Sequence, residues 1–393
     1  MTKILDWKRS DDVRDIVHLS VQALAEGHIV ALPSCTNYFA AASGTDPNAC
    51  RRLLELFDAP AVEDSADLPA ASLLIRGGEE IQDYCPESCG TARRLAMRTW
   101  PGPLHLLLSG GHSDSLLTRL APAASQAVSD SRGYFQACLP AHPAVAEITR
   151  LTAGPLVMRP LIDRRDGSLA TTPEGVSHEA VSILVDGGPT KFQGRPTVLE
   201  VRDHCCRIVR PGVTSRAELQ SVSRLVVLLV CTGNTCRSPM SEAILERKIR
   251  EHLPQLQNGL QVPGAWDKNF VPIVAISAGI AGGEGPASPQ AITALADRGL
   301  DLSKHRSCAV TQKDVEAADL ILAMTRGHQQ AIISRWPAAA AKCHLVSGGA
   351  EDVSDPFGGP VPLYRQCADK LDEYLERWIE RFADSPLPRW TDS

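Results

Sequence analysis

The sequence predicts an α/β protein of two domains, the second of them a parallel sheet with helices on its faces. Three observations lead there. The 393 residues exceed what one ordinary core encloses. The second half alternates short continuous apolar runs with amphipathic helical patterns, the rhythm of a parallel sheet. Between the halves, after Arg210-Pro211-Gly212, the pattern turns polar. The domains are therefore placed at 1–215 and 224–393, joined by a linker at 216–223.

Composition narrows the class. Hydrophobic residues make up 44% of the chain and charged residues 22%, as in a globular protein rather than a disordered or fibrous one. A net charge of −6, with no block of Lys and Arg, advertises no broad nucleic-acid surface. The start, MTKILDWKRSDDVRDIV, has acids and a tryptophan where a secretory leader needs a basic segment followed by an apolar run. The most apolar stretch, 225–230, is strand-length, so no membrane span is expected. Twelve cysteines scattered over a long chain fit a reducing compartment, and a cytoplasmic protein is expected.

In chain order, residues 13–25 repeat apolar side chains at helical spacing (Val17, Val21, Leu24), and Gly27 is placed to end that helix. An apolar strand at 28–32 is stopped by Pro33, and further strands are expected at 72–75, 104–108 and 181–185. Asp186-Gly187-Gly188-Pro189 closes the last of these as a turn. In the second half, 225–230 reads as a strand buried on both faces, followed by a loop and a helix that begins near Pro239. Strands follow at 273–277 and 320–324, with a helix at 289–298 stopped by Gly299. The closing helix, 364–382, aligns Tyr364, Ala368, Leu371, Leu375, Trp378 and Phe382 on one stripe.

The chemistry concentrates in Cys231-Thr232-Gly233-Asn234-Thr235-Cys236-Arg237-Ser238-Pro239. Cys-x5-Arg recurs by chance, but here it stands between a buried strand and a helix start. A tight loop there turns backbone N–H groups inward, and the helix N-terminus adds positive potential, so a phosphate dianion is bound with few charged side chains. The same field favours a thiolate at Cys231. Arg237 returns to grip two phosphoryl oxygens through its planar fork, and Ser238 is placed to donate to the sulfur. Cys236 lies in the same folded-back loop, a spacing that suits a reversible disulfide with Cys231 against over-oxidation.

These residues resemble the active-site loop of the low-molecular-weight protein tyrosine phosphatases, over the chain from Arg224 to the closing helix. The resemblance implies a four-stranded parallel sheet and an acid in an Asp-Pro pair far downstream, here Asp355-Pro356-Phe357-Gly358-Gly359. It implies a phosphocysteine mechanism without metal or other cofactor, with Cys231, Arg237 and Asp355 catalytic and phosphorylated proteins as substrates. It also implies that Ser277 and His305 hydrogen-bond Asn234 and hold the loop in shape. Tyrosine-directed members carry an isoleucine where this chain has Thr235. Thr235 with Phe357 looks like the bacterial protein arginine phosphatase branch, so phosphoarginine is expected ahead of phosphotyrosine, with these two residues setting the preference.

In the first half, Ile29-Val30-Ala31-Leu32-Pro33-Ser34-Cys35-Thr36-Asn37-Tyr38, Trp100-Pro101-Gly102-Pro103-Leu104 and Arg207-Ile208-Val209-Arg210-Pro211-Gly212 resemble the YrdC family. That family makes threonylcarbamoyl-adenylate for tRNA modification on a twisted α/β fold. Thr36 and Tyr38 match. The family's Lys-x-Arg, however, meets Leu56-Phe57-Asp58-Ala59-Pro60, its Ser-Ala-Asn meets Leu161-Ile162-Asp163, and a serine is replaced by Pro196 before Thr197. Losing cations and gaining an acid weakens a triphosphate site. The expectation is a degenerate module, structural or binding RNA or nucleotide, rather than a working synthase.

Overall fold

A sheet or a helix must bury its apolar face against a second layer, and this chain solves that problem twice. A computed structural model describes residues 2–56, 68–163, 165–176, 181–258, 269–383 and 387–390. It divides into a first unit, Met1–Ser223 with Trp390–Ser393, and a second, Arg224–Arg389.

The first unit is built on a mixed sheet. Its strand order is Lys3–Asp6, Val181–Asp186, Ile29–Pro33, Tyr38–Ser43, Leu156–Pro160, Ser72–Leu74, Tyr134–Cys138, Leu104–Ser109, Thr197–Arg202 and Cys205–Arg210, with Trp390 of the same unit at the far edge. The expected helix is present as Val13–Ala25, capped by Asp12, whose carboxylate accepts the Arg14 N–H. Gly27 follows at φ +78°, the left-handed geometry that ends a helix. With the helix Pro143–Leu151 it covers one sheet face through Val17, Leu24, Val145 and Ile148.

The polar stretch expected to join the domains, 216–223, is instead the helix Arg216–Ser223 of the first unit. Leu219 and Ser223 are fully buried there, and Arg94 Nε donates to the Ser223 carbonyl at 3.0 Å. Ala217 and Glu218 are exposed. A short helix with one buried residue per turn is as polar as a linker, so composition alone does not separate the two.

The second unit has four parallel strands in the order Ile273–Gly279, Leu225–Cys231, Leu320–Ala323 and Cys343–Leu345. Leu225–Cys231 reads as unbroken apolar sequence because both its faces are covered. Val227 and Leu229 pack with Met240, Ile244, Leu295 and Leu371 on one side. Leu228 and Val230 pack with Val315, Ile321 and Ile332 on the other. The helices Arg237–Glu251, Pro289–Ala296 and Val361–Ala383 supply the first layer, and Gln312–Ala317 and Arg326–Arg335 the second. All six residues of the expected stripe on the last helix are buried, each large side chain contributing roughly 1.5–3 kcal/mol.

Strand order also locates the site. Leu225–Cys231 comes first in the sequence yet lies between its two successors, so its connections leave in opposite directions. A crevice opens at the carboxyl end of such a switch point. Cys231 is the last residue of that strand.

Candidate active site

The strand ends at Cys231 and the helix Arg237–Glu251 begins after only residues 232–236, which places Pro239 in its first turn. So short a connection needs a left-handed residue, and Asn234 takes it at φ +54°. That conformation is strained without glycine and persists only where surroundings hold it. Here they do. Asn234 Nδ2 donates to Ser238 Oγ (3.0 Å) and Ser277 Oγ (2.9 Å), while Oδ1 accepts the Cys308 N–H (3.0 Å). His305 Nε2 lies 2.8 Å from the Asn234 carbonyl oxygen, so it reaches the backbone of that residue and not its amide side chain.

Two further features support the loop from behind. Ser277 Oγ donates to Glu242 Oε2 at 2.5 Å, and burial pushes the Glu242 carboxyl up. Gly279 pairs with Cys231 across the sheet, and a Cβ there would stand 2.6 Å from the Thr232 carbonyl oxygen and 2.9 Å from the Asn234 nitrogen. No side chain fits between the second strand and the loop without displacing one of them.

The loop encloses the sulfur. Cys231 is 2% exposed, the Asn234 N–H donates to Sγ at 3.2 Å, and Ser238 Oγ lies 3.0 Å away. The Asn234 N–H and the start of the helix Arg237–Glu251 thus direct positive potential at the sulfur. Arg237 is buried, yet its fork reaches the loop mouth: Nη1 donates to the Val353 carbonyl (3.0 Å) and Nη2 to Asp355 Oδ2 (2.6 Å) and Thr232 Oγ1 (3.4 Å). Asp355 is half-exposed, and its Oδ1 accepts the Phe357 N–H at 3.2 Å. The Phe357 ring is 73% exposed beside it.

The rest of the loop is less open. Thr235 is half-buried and its carbonyl accepts the Ser288 N–H at 2.8 Å. Cys236 is buried, with Sγ donating to Ser288 Oγ (3.3 Å) and 3.6 Å from the Tyr364 hydroxyl. Both loop cysteines carry free thiols. Thus Cys231, Arg237, Asp355, Thr232 and the Asn234–Ser277–His305 group meet at one place, and Gly233 is half-buried in the same loop. Sequence reasoning does not reach Glu242, Ser288, His328 or the Val353 carbonyl. They come from separate segments with no motif of their own.

In the first unit, Tyr38 is fully buried and its hydroxyl donates to the Gly188 carbonyl (2.8 Å) and accepts the Gly187 N–H (3.0 Å). Thr36 is buried nearby, and its carbonyl accepts from Thr190 Oγ1 (2.8 Å). Asp163 is occupied by Arg165, with Oδ1 accepting from Nε at 2.8 Å. Residues 57–60, where a Lys-x-Arg would stand, lie outside the described residues. Among the described residues, no group of three or more His, Cys, Asp or Glu side chains is arranged to hold a metal ion. No helix among them is long and apolar enough to cross a membrane.

A parallel sheet that delivers one cysteine and one arginine to a single anion cradle at a helix start defines the class of cysteine-dependent phosphatases. Residues 226–385 match the family described as low molecular weight phosphotyrosine protein phosphatase, and the chain belongs to that family. It is 38% identical over 160 residues to the protein-arginine-phosphatase of Geobacillus stearothermophilus, covering 39% of this chain and 94% of that protein. It is 33% identical over 157 residues to a protein of Ralstonia nicotianae named probable low molecular weight protein-tyrosine-phosphatase EpsP, covering 39% of this chain and 94% of that one. Residues 22–212 match a second family, that of Sua5, YciO and YrdC, described as telomere recombination. There the chain is 25% identical over 226 residues to the threonylcarbamoyl-AMP synthase of Pyrococcus abyssi, covering 56% of this chain and 58% of that protein.

Proposed function

We propose that this protein hydrolyses phosphorylated protein side chains through a phosphocysteine on Cys231, with phosphoarginine preferred. One observation carries the reading: the Asn234 N–H and Ser238 hydroxyl converge on Cys231 Sγ at a helix start, while Arg237 and Asp355 meet 2.6 Å apart at the mouth of the same loop. The sulfur attacks phosphorus in line, the S–P bond forms, and the bond from phosphorus to the guanidino nitrogen breaks. Asp355 gives its proton to that departing nitrogen. Asp355 then takes a proton from water as the water oxygen attacks phosphorus, the S–P bond breaks to restore the thiolate, and inorganic phosphate leaves. Arg237 and the loop N–H groups hold the phosphoryl oxygens in both steps. We place this activity in the cytoplasm, and no step requires a metal.

Three things support arginine: Thr235 on the loop wall, the Phe357-Gly358-Gly359 run after Asp355-Pro356, and the name of the Geobacillus relative. Threonine leaves a smaller, more polar wall than isoleucine, and the exposed Phe357 ring offers a face on which a guanidino group stacks. Thr235→Ile is expected to lower the ratio of kcat/KM on phosphoarginine to that on aryl phosphate by about tenfold. An unchanged ratio transfers the assignment to phosphotyrosine.

For the first unit we propose a YrdC-like module without synthase turnover. Its support is Asp163 held by Arg165 and Pro196 at a serine position. Pyrophosphate release from ATP with threonine and bicarbonate is expected to stay at the no-enzyme rate. Turnover would make the protein bifunctional. RNA or nucleotide binding is the remaining role for this unit, read by titrating tRNA and ATP.

A further inference from the structure

His328 belongs to no motif, yet it joins the first residue of the loop to a separate helix. It sits in the first turn of Arg326–Arg335, whose N-cap, Thr325, accepts the His328 backbone N–H at 3.2 Å. Its Nδ1 lies 3.0 Å from Thr325 Oγ1 and its Nε2 2.8 Å from Thr232 Oγ1. Thr232 Oγ1 also accepts from Arg237 Nη2 at 3.4 Å, so one line of contacts runs from Thr325 through His328 and Thr232 to Arg237.

We propose that His328 is a positioning residue for phosphate capture: its Nε2–H donates to Thr232 Oγ1 and leaves the Thr232 hydroxyl proton for a phosphoryl oxygen. Thr325 Oγ1 accepts the helix-cap N–H, and among its described contacts His328 Nδ1 is the acceptor within reach of its single hydroxyl proton, so that proton is assigned to Nδ1. A neutral imidazole that accepts at Nδ1 carries its proton on Nε2. His328 is neutral at ordinary pH, because burial and then the charge of Arg237 push it down to about 4, against Asp355 and Asp352.

The Thr232 oxygen then takes one hydrogen bond from His328 and one from Arg237, which uses both of its lone pairs. Its own proton points in a third direction. Thr232 is exposed, so that proton is open to a phosphoryl oxygen in the proposed complex. With the opposite tautomer that proton would be spent on His328, and the cradle would face the dianion with a lone pair.

The inference rests on the reading of residues 231–238 as a phosphate site, and the experiment separates the two. Inorganic phosphate binding is measured by calorimetry on the full chain and on His328→Ala, Thr232→Val, the double variant and His328→Gln. Each of the first two is expected to weaken binding about tenfold, the size of one hydrogen bond to a charged group. Because both act through one hydroxyl, the double variant loses about the same tenfold and no more. Gln, whose amide nitrogen donates where Nε2 does, restores affinity to within about threefold. An unchanged His328→Ala, multiplying losses in the double variant, or a Gln variant as weak as Ala would each overturn the proposal. If His328→Ala does not fold, Thr232→Val on the exposed rim tests the hydroxyl alone, and full affinity there overturns it. A native chain that binds no phosphate would overturn the loop reading itself.

Discussion

Cys231→Ser is expected to lower kcat on phosphoarginine and on aryl phosphate by roughly four orders of magnitude or more, as removal of a nucleophile does elsewhere. The change is nearly isosteric and leaves the Asn234 N–H, the Ser238 hydroxyl and the Arg237 fork in place. A serine hydroxyl, however, is a far weaker nucleophile than a cysteine sulfur, so the attack on phosphorus proposed for residue 231 is lost. Phosphate itself should still bind, since its contacts come from the loop amides and Arg237. Turnover within tenfold of the native rate would remove Cys231 from its role.

Asp355→Asn should have two effects of opposite kind. Loss of the proton donor lowers kcat by about 10²–10⁴, most on phosphoarginine and least on an activated aryl phosphate whose departing oxygen needs little help. At the same time phosphate should bind more tightly. The Asp355 carboxylate sits 2.6 Å from Arg237 Nη2 and competes with a phosphate oxygen for that donor, and an amide competes less. Steady-state rates on both substrates and the inhibition constant for phosphate read the two effects separately. Equal loss on both substrates would deny Asp355 the acid role, whatever happens to phosphate affinity.

Much of the second unit is written locally. A run such as Leu225–Cys231 has few alternatives to a doubly covered strand, and the nine residues from Cys231 to Pro239 carry their own turn, helix start and anion-binding groups. The closing helix announces its buried face by period alone. The first unit was legible in its strongest strands and its first helix. The segment 216–223 was not, because a polar helix that buries one leucine has the composition of a connector.

Taken by itself, the sequence determined that a cysteine and an arginine close one loop between a parallel strand and a helix, since that geometry follows from neighbours in the chain. Only the tertiary structure decided what holds and completes the loop. Ser277, His305 and Asp355 are expected through the family resemblance, but the structure alone sets their contacts, puts Gly279 and Cys308 against Asn234 and its backbone, brings the Val353 carbonyl to Arg237, and carries His328 to Thr232. The physical reason is that backbone geometry is set by adjacent residues, whereas hydrogen-bond partners for a strained asparagine or a buried guanidinium come from whichever segments the sheet order brings alongside.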